Sequence, residues 1–145
     1  MGYFSQLDVF DLVLQKNAIQ HIQSIDEKAT EAEIRNFLGG FNFRDNKAKD
    51  SIKHFSGGEK ARLALAKIAF QKPNLLLMDE PTNHLDLESI TAFNNSLKNF
   101  KGTVLFSTHD HEFAQTIANR IIEIKDSRTF SYNGNYEYYL EKNKN

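Results

Sequence analysis

The run Leu75-Leu76-Leu77-Met78 leads directly into Asp79-Glu80, and this junction is the most suggestive chemical feature of the sequence. Four apolar residues of this kind read as a buried strand. In α/β proteins, side chains at the C-terminal end of a parallel strand face the crevice where ligands bind. One carboxylate there can serve a Mg²⁺ ion, and a second beside it can orient or deprotonate water. A strand that ends in a solvated acidic turn has the same local sequence, so the pair alone decides nothing. Ser56-Gly57-Gly58-Glu59 is the second feature. It has the form of a capping box, which needs no ligand. Its two glycines also clear side chains from a helix N-terminus, so that amides and the Ser56 hydroxyl can approach a phosphate along a direction the helix dipole favours. Both readings stand at this level. His109-Asp110-His111 has a spacing that rarely puts both rings on one metal ion. His84 reads as a hydrogen-bonding loop residue, and His21 and His54 as surface residues.

Such residues must be held by strands and helices in a definite order. Residues 3–6 read as the end of a strand running into a loop. From Asp8 to about Ser51 the pattern is helical, with Phe10, Leu14, Ile22 and Ile25 at near-helical spacing. Thr30 to Glu33 is a capping box, Ile34, Phe37 and Leu38 share the face that follows, and Gly39-Gly40 supplies a stop. Lys47 to Lys53 reads as one more short helix. Ser56 opens a helix to about Lys72, which Pro73-Asn74 ends. A strand over 75–79, a helix near Leu87 to Asn99, a strand from Thr103 to Ser107 and a helix from Asp110 to Asn119 follow. Ile121 to Ile124 and Thr129 to Tyr132 read as short strands around an Asp126-Ser127 turn, and Asn135 as the cap of a last helix through Leu140. Apolar strands alternating with helices predict an α/β fold with a mostly parallel sheet plus a small helical subdomain. The expected organisation is residues 1–7 as strand end, 8–54 as helical subdomain and 55–145 as α/β core.

Composition narrows the function classes. Hydrophobic residues make up 40% of the 145 positions and include twelve Phe, enough for a core and too many for global disorder. The longest clear apolar run is strand-sized, against the roughly 20 residues a membrane-spanning helix needs. Cysteine is absent, which excludes disulfides, thiolate metal sites and Cys nucleophiles and suits a reducing compartment. With no basic-then-apolar leader, a cytoplasmic location is expected. A net charge of −1 gives no bulk case for nucleic-acid binding. Tyr136, Tyr138 and Tyr139 could stack on bases, but with acids interleaved among Lys125, Arg128, Lys142 and Lys144, packing of the last helix is the preferred reading.

The two features gain specificity from their order. Ser56 precedes Asp79 by 23 residues, Glu80 runs into Pro81-Thr82-Asn83-His84-Leu85-Asp86, and His109 follows Glu80 by 29 residues. This arrangement resembles the ATP-binding cassette (ABC) ATPases. Ser56-Gly57-Gly58-Glu59 looks like their signature motif, with Phe55 where the family usually has Leu. Asp79 and Glu80 look like the Walker B aspartate and the catalytic glutamate, Leu85-Asp86 like the D-loop, His109 like the switch histidine and Gln6 like the Q-loop glutamine. The stretches 56–66 and 79–86 and the tail from Tyr132 to Leu140 are similar to the soluble ABC-F subfamily. The resemblance implies ATP and Mg²⁺ as cofactors. It implies that Asp79 and Gln6 help place the metal, Glu80 polarises water and His109 contacts the γ-phosphate. Ser56, Gly57, Gly58, Glu59 and Asp86 would serve nucleotide shared with a second cassette. It further implies a cytosolic ATPase with two cassettes in one polypeptide, acting on the ribosome without a membrane domain.

No Gly-x-x-x-x-Gly-Lys-Ser/Thr occurs in residues 1–145. The chain is therefore expected to be the C-terminal part of one cassette, inactive by itself, with a sheet edge through which it could self-associate. Substitution of Gly58 by Val is expected to block cassette closure rather than harm the fold. The alternatives are an ATP-binding subunit of a membrane transporter and a binding module that no longer turns over ATP. A chromosome-maintenance ATPase half is disfavoured, because residues 1–50 carry no heptads.

Overall fold

The computed structural model describes residues 1–144. They form two compact units, Met1–Ser107 and a second that begins at Thr108. The first unit runs β1 (Gly2–Phe4), α1 (Gln6–Phe10), α2 (Ala18–Gln23), α3 (Glu31–Gly39), two 3₁₀ turns (Asp45–Ala48 and Ile52–His54), α4 (Gly57–Phe70), β2 (Leu75–Asp79), α5 (Leu87–Leu97) and β3 (Thr103–Ser107). The second unit holds α6 (His111–Ile117), β4 (Ile121–Lys125), β5 (Arg128–Tyr132) and α7 (Tyr136–Lys142). The expected α/β fold with a parallel sheet and helices is found.

In the first unit the sheet order is β1-β2-β3 and both pairings are parallel. Phe4, Leu76 and Met78 are buried, and the Phe4 ring meets Phe93 of α5 with centroids 5.5 Å apart. Helix α4 buries Ala61, Leu63, Ala64, Leu65 and Ala66. Small and large side chains together let it sit close to its neighbours on more than one side. In the helical segment Ile22, Ile34, Leu38, Phe41, Phe43 and Ile52 are buried, and Phe43 stacks on Phe55, which precedes α4.

That segment departs from the expected pattern in two places. Phe10 is 78% exposed, while Ile22, assigned to the same face, is fully buried. The helix breaks after Phe10 and resumes only at Ala18. In place of one helix over 47–53, the chain makes the two 3₁₀ turns. The cause is strand-like pairing between distant residues. Asn17 bridges Ser51, the amides of Ile52 and Lys53 donate to the carbonyls of Lys16 and Leu14, and the Ser51 hydroxyl donates to Leu14 O at 2.8 Å. These bonds satisfy backbone groups that a continuous helix would otherwise pair within itself. Helix α3 does end at Gly39, but Gly40 keeps right-handed dihedrals and the left-handed residue is Asn42, with φ 63°.

In the second unit β4 and β5 form an antiparallel hairpin with Asp126 and Ser127 both left-handed, as a tight two-residue turn requires. Asn135 caps α7 by accepting from Tyr138 N at 3.0 Å. The hydroxyls of Tyr132 and Tyr139 both donate to Glu123, at 3.1 and 3.0 Å, and the rings of Tyr136 and Tyr139 stack. Partial desolvation, then the bond to Glu123, raises the Tyr139 hydroxyl above its ordinary range. These tyrosines are thus engaged in local packing. Among the described residues, no helix is long and apolar enough to cross a membrane.

Candidate functional site

Parallel pairing brings three chain exits to one edge of the sheet. Met78 stands opposite Phe4 on one side and Phe106 on the other, and Asp79 stands opposite Ser107. Gln6, Asp79, Glu80 and Ser107 therefore all leave the C-terminal ends of neighbouring strands. The Ser107 hydroxyl donates to the Asp79 carboxylate, and the Glu80 amide donates to the Ser107 carbonyl at 3.1 Å. Glu80 is left-handed, with φ 45°. That conformation is uncommon outside glycine, and the right-handed alternative is disfavoured here because Pro81 follows. Strained backbone of this kind persists where surrounding bonds over-determine it, and functional sites are enriched in it. The turn is closed by Asn83 N donating to Glu80 O and Leu85 N to Thr82 O, with Thr82 buried and His84 also left-handed.

Gln6 differs from its expected loop. It is the first residue of α1, because Ser5 and Asp8 form a capping box: Asp8 Oδ2 accepts from Ser5 N at 2.7 Å, and Ser5 Oγ accepts from Leu7 N at 3.2 Å. Asp86 is the N-cap of α5 and accepts from Ser89 N at 2.8 Å. Its carboxyl lies below the usual carboxylate range because the Ser89 hydroxyl and amide both bond to it.

Ser56, Gly57, Gly58 and Glu59 form a second constellation at the N-terminus of α4. Ser56 Oγ accepts from Glu59 N at 3.2 Å, and Glu59 Oε2 accepts from Ser56 N at 2.9 Å. The two glycines differ. A Cβ at Gly57 would meet nothing within 4 Å, so the helix end is open there. A Cβ at Gly58 would lie 2.0 Å from Ser89 Oγ and 2.2 Å from Ser89 Cβ. Gly58 is thus a packing residue between α4 and α5. The expectation that its replacement spares the fold is corrected, and only the three-dimensional proximity of Ser89 reveals it.

His109 belongs to the second unit, immediately before the N-cap of α6. Asp110 N donates to Thr108 Oγ1 at 3.0 Å, and Asp110 Oδ1 accepts from Phe113 N at 2.9 Å, which fixes the backbone on the C-terminal side of His109. His21 is not a surface residue. It is buried at 3% exposure, with Nε2 3.2 Å from Val13 N and 3.3 Å from Val13 O. Its position between Ile19 and Ile22 was the available signal. Ser107 and Ser89 were missed as well, because neither carries a motif.

A groove of about 790 Å³ opens between the turn after α3 and the exposed side of α5, lined by residues including Arg44, Leu87, Glu88 and Asn95. None of the expected site residues lines it. Among the described residues no three His, Asp or Glu side chains cluster as a metal cage. Mg²⁺ does not need one. It takes one or two carboxylates and fills its shell with phosphate oxygens and water. The hard oxygens of Asp79 and Ser107, already in contact, fit that demand.

Residues 1–83 match the sequence model of the family described as ABC transporter. This chain belongs to the ABC family. It is 42% identical over 142 residues to YdiF of Bacillus subtilis and 40% identical over 141 residues to YbiT of Escherichia coli O157:H7, both named for ATP binding. These alignments cover 98% and 97% of this chain but 22% and 27% of the relatives. An Arabidopsis thaliana protein named ABC transporter F family member 5 is 38% identical across 98% of this chain, which covers 20% of it. The chain therefore spans about a fifth to a quarter of the length of these curated relatives. Among solved structures, cbiO1 of Clostridium perfringens, described as part of the ABC transporter complex cbiONQ, superposes with a TM-score of 0.73. It is 25% identical, and the match covers 97% of this chain and 59% of that one.

Proposed function

We propose that this chain is the C-terminal part of an ABC-F-type ATPase cassette, which binds and hydrolyses ATP when joined to a phosphate-cradling loop. The observation that supports it most is identity of 38–42% across nearly the whole chain to YdiF, YbiT and the F family member, against 25% to the transporter component cbiO1. In this reading Asp79 and the Gln6 amide oxygen, on adjacent strand exits, hold Mg²⁺. When bound, the ion neutralises charge on the phosphates. Glu80 orients the attacking water and accepts its proton, in a turn whose amide is pinned by Ser107. His109 contacts the γ-phosphate. The Ser56 hydroxyl and the amides at Gly57 and Gly58 receive phosphate of a nucleotide held by a second cassette, while Glu59 and Asp86 hold the helix starts in shape. The working location is the cytoplasm and the working partner the ribosome.

The chain by itself is proposed to bind ATP weakly. A phosphate loop supplies amides and a lysine, each bond worth roughly 1.5–3 kcal/mol. Four such bonds total roughly 6–12 kcal/mol, against about 8 kcal/mol for a whole micromolar ligand. Residues 1–145 contain no such loop. Calorimetric titration of Mg²⁺-ATP into the chain tests this. A low-micromolar dissociation constant with phosphate release would overturn it. For the protein that carries this chain behind a phosphate loop, ATP-dependent co-sedimentation with ribosomes is expected. Binding to a membrane-embedded partner instead would favour the transporter alternative.

A further inference from the structure

We propose that Lys47 and Phe55 are positioning residues for the turn at Ser56–Gly58, acting through a four-residue stack of Lys47, Phe55, Phe43 and Arg62. This rests on the reading of Ser56–Gly58 as a phosphate clamp and deepens it. Lys47 Nζ lies 4.7 Å from the centroid of the Phe55 ring and 2.9 Å from Glu59 Oε1. Phe55 stacks on Phe43, with centroids 5.5 Å apart and planes 13° from parallel. Arg62 Cζ lies 5.5 Å from the Phe43 centroid. Phe43 and Phe55 are buried, and so is Arg62.

Three features tie this stack to the turn. Phe55 immediately precedes the cap Ser56, and Arg62 lies further along the same helix, so α4 is gripped at two points. The Arg62 Nε is buried without a hydrogen-bond partner. The Phe43 ring face supplies part of what water would have given that cation. Glu59 divides its carboxylate: Oε2 accepts from the Ser56 amide and Oε1 pairs with Lys47. Lys47 therefore holds the Glu59 side chain in the rotamer that closes the capping box, and the box sets the direction in which the Gly57 and Gly58 amides face. The stack also gives a reason for an aromatic residue at position 55. A leucine would fill the space but offer no π face to Lys47.

The test is amide hydrogen exchange on the full chain. Lys47→Met keeps the alkyl stem and removes the charge. It is expected to speed exchange at Ser56 and Glu59 about three- to tenfold beyond any change at the core amides of Leu63 and Leu65. Lys47→Arg should restore slow exchange. Phe55→Leu should repeat the effect of Lys47→Met; if it unfolds the chain, the Lys47 pair decides alone. Unchanged exchange at Ser56 and Glu59 in Lys47→Met, or a rise that merely parallels the core amides, overturns the proposal. The clamp reading fails separately: if Ser56→Ala leaves ATP-driven pairing of cassettes intact, the exchange result stands while the phosphate role falls.

Discussion

Adding one methyl group at Gly58 should force two helices apart. The new Cβ would sit 2.0 Å from Ser89 Oγ, 2.2 Å from Ser89 Cβ and 3.2 Å from Ser89 Cα. Carbon atoms pack best at about 3.5–4.0 Å. Rotating Ser89 can move its hydroxyl but neither its Cβ nor its Cα, so α4 and α5 must shift. Overpacking of this kind costs about 1–3 kcal/mol. Replacing glycine by alanine in a helix returns up to about 1 kcal/mol. With the helix gain counted in full, the expected net loss for Gly58→Ala is up to about 2 kcal/mol, or up to roughly 7 °C in melting temperature for a chain of 145 residues. Gly57→Ala, with open space around it, should be neutral or slightly stabilising. Ser89→Gly removes the two closest atoms, Oγ and Cβ, and leaves only the 3.2 Å approach to Cα, so the double variant should recover most of the loss and show a coupling of about 1 kcal/mol in a double-mutant cycle. Urea denaturation with an unchanged m-value is the assay. If Gly58→Ala is as stable as Gly57→Ala, or the two changes at 58 and 89 simply add, the packing role assigned to Gly58 is wrong.

In the protein that carries this chain behind a phosphate loop, Glu80→Gln should leave ATP binding intact and slow hydrolysis by about 10²–10⁴, the usual effect of losing a general base; near-normal turnover would reject that role. Thr30→Ala should destabilise the chain by about 0.5–2 kcal/mol, because Thr30 caps α3 reciprocally with Glu33. The same change should raise the Glu33 carboxyl, which the Thr30 amide and then its hydroxyl hold below 4.5, and a carboxylate NMR titration reads this. Burial lowers the His21 pKa from 6.5, the Val13 hydrogen bond opposes that, and the charges of Lys67 and Lys16 add to the lowering. A base that protonates more readily when unfolded gives stability that is complete above 6.5 and declines as pH falls through the folded value. Urea midpoints should therefore drop on acidification from this source, and His21→Gln should flatten that part of the profile; an unchanged slope would show that His21 does not titrate with folding.

Local chemistry determined much of this molecule from its sequence. The strands at 75–79 and 103–107 are short, mostly apolar runs bounded by polar residues, Pro or Gly, a pattern that marks a strand without specifying its partner. Thr30, Ser56 and Asn135 start helices because each cap side chain accepts from an amide only three residues away. The order of Ser56–Glu59, Asp79-Glu80 and His109 along the chain carries the resemblance to the ABC family, to which the chain belongs. Tertiary structure decided the rest. Nothing in the sequence near position 21 says that Val13 folds back onto the ring, that Ser51 pairs with Asn17, or that Ser89 presses on Gly58. The parallel register alone makes Ser107 a partner of Asp79 and Glu80. Caps and strand runs depend on neighbours along the chain, which a sequence displays. Burial, close helix contact and the meeting of strand ends depend on residues tens of positions apart, and these become neighbours only when the backbone has packed.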